Sequence, residues 1–154
     1  MELLDGSAEG ATAYLVADLR QPDVIFAEAA STLDLAEPVA VLMFTILHNI
    51  RDSEDPWAIV ARYVDAVCSG SYVAISHLTA DFNSEVMAQV AESLDRDMAE
   101  PFVLRGSDDI ARFFDGTELL APGLVHINDW RPDDAIPPVA GIPAPIYGAV
   151  GRKP

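Results

Sequence analysis

Two histidines and one carboxylate stand directly behind strand-like runs, and it is there that this sequence has the means for chemistry. In Val39 to Leu47, VAVLMFTIL, eight of nine residues are apolar, and His48 and Asn49 follow at once. A run that apolar without alternation reads as a strand buried on both faces, as in a parallel α/β sheet. Polar groups at the carboxyl end of such a strand lie on the rim of the sheet, where open α/β folds bind ligands. His77 follows SYVAIS (Ser71–Ser76) in the same way, and Asp18 follows TAYLV (Thr12–Val16). The pattern predicts three parallel strands ending on one lip, with Asp18 and His48 facing a common hollow.

Other chemistries find less support. His48, His77 and His126 lack ligand spacing, and with Cys68 as the one cysteine no zinc site is credible. Cys68 reads as a small buried hydrophobe in a reducing cytoplasm. The acidic turn Asp52–Ser53–Glu54–Asp55 resembles a cation site superficially, but it lacks the D-x-[DN]-x-[DN]-G pattern. Solvated charges at a helix start explain it better. Trp57 and Trp130 either stack on a ligand or pack at the ends of elements. No Ser/His/Asp or Cys/His nucleophile arrangement follows from spacing.

Composition narrows the partners. The chain has 154 residues, suited to a single domain over 1–154, and 51% of them are apolar, which argues against disorder. The formal charge of −16 would repel phosphate backbones, so nucleic acid is not an expected partner. Arg152–Lys153 is the only basic cluster. No apolar run reaches the roughly 18–20 residues of a membrane span, and MELLDGSAEG lacks the basic start of a secretory signal. The expected location is the cytoplasm, with no membrane partner.

The elements that must position these groups follow in order. After the strand at Thr12–Val16, Gln21–Pro22 opens a helix with Ile25, Ala29 and Leu33 on its apolar face. Pro38 introduces the strand from Val39 to about Phe44. Asp55–Pro56 reads as an N-cap with proline at the first helical position, and Ile59, Val60, Tyr63, Val64 and Val67 recur at helical spacing. Ser69–Gly70 closes that helix before the third strand, giving βαβαβ. A helix from about Asn83 to Met98 carries Met87, Val90, Ala91, Leu94 and Met98. Ser107 caps another, with Ile110, Phe113 and Phe114 as its core face and Gly116 as its stop. Strands at roughly Glu118–Asn128, interrupted near Pro122–Gly123, and at Ile146–Gly151 flank a proline-rich loop and would pair antiparallel.

This order, together with TAYLVADLRQPDVI, PVAVLMFTILHNIRDSEDPWAIVARYVDAVCSGSYVAISHLTADF, RGSDDIARFFDGTELLAPGLVHINDWRPD and PIYGAVGRKP, resembles the actinobacterial S-adenosyl methyltransferase family. That family belongs to the class I S-adenosylmethionine-dependent superfamily. The resemblance implies a Rossmann-like α/β sheet of parallel strands with a C-terminal antiparallel hairpin. It also implies methyl transfer from S-adenosylmethionine to a small-molecule acceptor. By resemblance, Asp18 would bind the adenine amino group and Leu19 would line the adenine slot. Thr45, Leu47 and His48 would wall the methionine end and face the acceptor, with His48 able to serve as base. Helix capping by Asp18, strand-end capping by His48 and loop anchoring by His77 are the competing structural roles.

The departure from the family is as plain as the match. The family's first strand with its glycine-rich turn, and its second strand ending in a ribose-binding acid, have no counterpart among the nine glycines and the early residues. Met1 to Asp5 resembles the tail of the helix after that second strand. The sequence thus reads as an N-terminally truncated sheet with open, apolar edges. Such edges invite self-association or pairing with a partner chain, the alternative being a non-catalytic half-domain. Weak or absent cofactor binding is the expectation for this length.

Overall fold

The computed structural model describes residues 10–82, 102–131 and 145–154, together with Glu85, Met87, Gln89, Glu92, Ser93 and Arg96. Its strands are β1 (Ala40–Phe44), β2 (Tyr72–Leu78), β3 (Glu118–Leu119), β4 (Val125–His126) and β5 (Ile146–Arg152). Its helices are α1 (Pro22–Ala29), α2 (Pro56–Ala66) and α3 (Ser107–Ala111). The sheet runs β1-β2-β5-β3, with β4 also on β5. β1 and β2 are parallel, linked through α2 as a βαβ unit, while β5 is antiparallel to β2, β3 and β4. The α/β class is as expected, and the C-terminal antiparallel pairing holds.

Local sequence accounts for these elements. Pro56 opens α2, where its missing N–H costs nothing. Asp55, at φ 50°, accepts from the Ala58 N–H at 3.1 Å. Ile59, Val60, Tyr63 and Val64 turn inward from α2 and meet Met43, Val73, Ile75 and Ala149 of the sheet. Ile110, Phe113 and Phe114 complete this core. Each such side chain, fully buried, contributes about 1.5–3 kcal/mol. The last turn of α2 is closed from far away. Lys153 Nζ donates to the carbonyls of Val64, Asp65 and Val67 at 2.9, 3.2 and 2.9 Å. A cation at a helix C-terminus also meets the negative end of its dipole.

Four expectations are corrected. Thr12–Val16 is not a strand: no ladder holds it, and Tyr14, Leu15 and Val16 are exposed. Its strand-forming residues have no paired neighbour, and a lone extended segment gains nothing to offset its ordering entropy. Only two of the three predicted parallel strands therefore form. β1 is not buried on both faces either. Met43 is inside, whereas Leu42 and Phe44 are 61% and 58% exposed, because no described helix covers the face they share. Ser107 is the first residue of α3 rather than its cap. Gly106 holds the cap position, and the Asp81 carboxylate takes the Ser107 N–H at 3.0 Å. Cys68 is half-buried, 3.7 Å from Ser71 Oγ.

Of the helix predicted at Asn83–Met98, the described residues are helical and Met87 is buried. Val90, Ala91, Leu94 and Met98 lie outside the described residues, as do Met1–Asp5 and most of the proline-rich loop. No helix among the described residues is long and apolar enough to cross a membrane.

Candidate functional site

β1 ends at Phe44 and the chain turns hard. Thr45 sits at φ 46°, a left-handed conformation that costs a β-branched residue roughly 1–3 kcal/mol. Its N–H is anchored to the Ser76 carbonyl and hydroxyl at 3.0 and 3.1 Å. A single 3₁₀ turn, Leu47–Asn49, follows. That turn rolls Leu47 into the core, where it is fully buried. Leu47 therefore packs the interior beside Ile50 and Ile110.

His48 is also turned in, with 7% of its surface exposed. Its ring lies 4.7 Å from the Phe102 ring and 6.2 Å, edge-on, from that of His77. Burial, then the nearby Arg105 charge, pushes its pKa below the usual histidine value. His48 Nδ1 and Asn49 Oδ1 are buried with no hydrogen-bond partner.

Asp18 lies on the loop before α1. Both the Arg20 N–H (2.9 Å) and the Arg20 guanidinium (3.2 Å) donate to its Oδ1. The backbone bond, foremost, holds its carboxyl below the ordinary range. Arg20 then reaches Glu54 at 2.8 Å and the Asn49 carbonyl at 3.4 Å. So Asp18 and the His48–Asn49 turn are joined, but through Arg20 rather than by facing each other. Leu19 is half-buried against the core, and its carbonyl accepts from Tyr63 Oη at 2.9 Å. Burial, with the Asp18 charge, pushes the Tyr63 hydroxyl up to about 12.

His77 is fully buried. Its Nε2 accepts from Arg105 Nη1 at 2.9 Å, since a guanidinium only donates. Nδ1 therefore carries the proton and donates to the Leu78 carbonyl at 2.6 Å. Burial drives its pKa down to about 4.

Sequence reasoning missed the two arginines that assemble this corner. Arg20 and Arg105 take Glu54 and Asp52 as partners, so the acidic turn serves as an anchor for cations of the chain itself. Among the described residues no group of three or more His, Cys, Asp or Glu could hold a metal. The available signal was the scarcity of cations: nine Lys and Arg in the chain, one of them following the apolar run Phe102–Leu104.

Trp57 and Trp130 divide. Trp57 Nε1 donates to the Asp109 carbonyl at 2.9 Å and its ring stacks on Phe113, a packing role. Trp130 lines an apolar hollow of about 230 Å³ with Phe44, Ile127 and Val150. A more open hollow of about 790 Å³ lies beyond the carboxyl end of β2, walled by Phe82, His126 and Tyr147 and edged by Asp81 and Asp129.

Toward S-adenosylmethionine the chain offers at Asp18 an exposed carboxylate whose two Arg20 bonds both fall on Oδ1, an acceptor of the kind an adenine amino group would need. No described residue supplies a glycine-rich turn or an acid placed for a ribose.

Comparison with known proteins agrees with the fold. A DUF574 family protein from Streptomyces avermitilis is 39% identical, with a TM-score of 0.90, over 99% of this chain and 59% of that one. A candidate methyltransferase from Thermobifida fusca is 28% identical, with a TM-score of 0.76, over 89% and 52%. A SAM-dependent methyltransferase from Anabaena variabilis, 16% identical with a TM-score of 0.57 over 96% and 63%, shares the fold. The chain thus spans little more than half the length of the first two. No curated protein matches it. Residues 1–154 match the S-adenosyl methyltransferase family, and the chain belongs to that family.

Proposed function

We propose that this chain carries the adenine-side and acceptor-side portion of an S-adenosylmethionine-dependent methyltransferase acting on a small molecule. The observation that carries the reading is the family match over the whole chain. The junction through Arg20, which ties Asp18 to the turn behind β1, adds geometric support. In this reading Asp18 accepts from the adenine amino group and Leu19 forms the floor under the ring. Thr45, with its strained backbone, sets where the chain turns beside the methionine end, and the buried His48 backs that turn from within. The open hollow by Phe82 and Tyr147 takes the acceptor itself. The cofactor, when bound, supplies an electrophilic methyl on a sulfonium, so the protein's task is mostly positioning.

Calorimetric titration with S-adenosylmethionine tests this. Binding tighter than about 100 μM, weakened by Asp18→Ala, supports a working site in this chain, and silence up to millimolar concentration overturns that and favours the half-domain reading below.

The exposed edge favours a second reading, a half-domain that associates with another chain. Among the described residues β1 pairs on one side, with β2, and Leu42 and Phe44 lie bare beside it. Light scattering on the purified chain separates the two: a stable oligomer disrupted by Phe44→Asp supports association, and a strict monomer opposes association with itself.

A further inference from the structure

The carbonyls of the turn behind β1 are all engaged. The Ile46 carbonyl accepts from Asn49 N–H, and the Leu47 carbonyl from Ile50 N–H. The His48 carbonyl accepts from Val103 N–H at 2.8 Å, and that of Asn49 from Arg20. Arg105, 3% exposed, accounts for the rest. Its Nη1 reaches the Leu47 carbonyl at 3.0 Å and His77 at 2.9 Å. Its Nη2 reaches the Ile50 carbonyl and Asp52, each at 2.7 Å, and its Nε reaches Asp52 at 3.0 Å. All five N–H donors of the guanidinium are thereby used. Two of the acceptors, the carbonyls of Leu47 and Ile50, bracket His48 and Asn49. The strand-like segment before Arg105 adds the Phe102 ring on His48.

We infer that Arg105 is the positioning residue for the His48–Asn49 turn, fixing its backbone from both sides and capping the Nε2 of His77, whose Nδ1–H the Leu78 carbonyl holds. The inference rests on the reading that this turn borders the cofactor and acceptor. A salt bridge to Asp52 alone would not need such burial, since the Asp52 side chain is 61% exposed and could pair with a surface cation. What only a buried, planar, five-donor group supplies is simultaneous grip on two carbonyls, an imidazole and a carboxylate. Lysine, with three donors radiating from one atom, cannot span them. The rigid backbone also explains how two side-chain atoms on the turn, His48 Nδ1 and Asn49 Oδ1, stay buried without partners.

The test compares the wild-type chain with Arg105→Lys, using Arg112→Lys as a surface control. Imidazole nitrogen NMR at neutral pH reads the hydrogen bond at His77 Nε2, and calorimetry reads binding of S-adenosylhomocysteine. We expect Arg105→Lys to fold, to shift the Nε2 resonance while Nδ1 keeps its proton against the Leu78 carbonyl, and to bind about tenfold more weakly or worse, with the control unchanged. A folded Arg105→Lys protein with the wild-type Nε2 resonance and affinity overturns the inference. Should that variant fail to fold, Asp52→Asn replaces it. It keeps the carbonyl bonds and is expected to keep the Nε2 resonance, and a shifted resonance there would place control with the Asp52 charge and overturn the role of Arg105. A wild-type protein silent toward the cofactor sinks the cofactor reading and the positioning role with it, while the imidazole spectrum reports the Arg105–His77 bond independently.

Discussion

Arg105 Nη1 and His77 Nε2 meet at 2.9 Å in the interior, and only the arginine can donate across that contact. The pair works because His77 is uncharged. Protonating it would set a cation against a guanidinium with almost no water to screen them.

Acid should therefore weaken the fold earlier than carboxylate titration alone would. The folded His77 pKa is held to about 4, against roughly 6.5 in an unfolded chain. The unfolded state takes the proton first, so the contribution is whole above pH ~6.5 and is lost as pH falls toward ~4. The loss approaches about 3 kcal/mol, at roughly 1.4 kcal/mol per unit. His48 shifts in the same direction. Urea titrations between pH 7.5 and 4 should show this slope, and His77→Gln should flatten it.

Lys153→Met removes the three bonds that close α2. We expect a stability loss of about 1–2 kcal/mol, because the part-buried carbonyls of Val64 and Val67 lose their charged donor. Chemical denaturation measures it, and a loss below about 0.5 kcal/mol, the size of an ordinary surface change, would show that water replaces the ammonium freely.

Asp55 combines an N-cap with a left-handed backbone. Asp55→Ala should cost about 1–3 kcal/mol, from the lost cap and the strain together. Asp55→Asn keeps both abilities and should cost less than about 0.5 kcal/mol. Equal losses in thermal melts of the two variants would contradict this account.

Gly151 lies where a side chain would strike Thr117, with the Phe114 ring 3.1 Å from the position of the added carbon. Gly151→Ala is expected to destabilise by about 1–3 kcal/mol through overpacking. A well-folded variant of unchanged melting temperature would mean that β3 simply shifts away.

Local signals in the sequence carried much of the fold. Asp55–Pro56 and the apolar face of α2 are where their spacing put them, as are the β2 core and the buried Ile110, Phe113 and Phe114. Thr12–Val16 misled because strand propensity says nothing about whether a partner strand is present. Val39–Leu47 misled in a subtler way. Its apolar pattern encodes two covered faces, and the described helices cover one. The candidate site was legible at its strand ends and opaque at its supports. Arg105 stands 28 residues from His77 and Arg20 stands 34 from Glu54. Contacts at such separation leave no periodicity to read. Nor does anything in the neighbours of Leu47 announce the 3₁₀ turn that rolls it into the core.

The one-sided ladder of β1 has a consequence for isotope labelling. A border strand aims alternate amides at its neighbour and the remainder at solvent, so deuterium uptake along Ala40–Phe44 should come in a two-residue rhythm of slow and fast sites. A polypeptide docking along that border would erase the rhythm by slowing the fast sites, which makes five backbone protons a sensor for any partner of this chain.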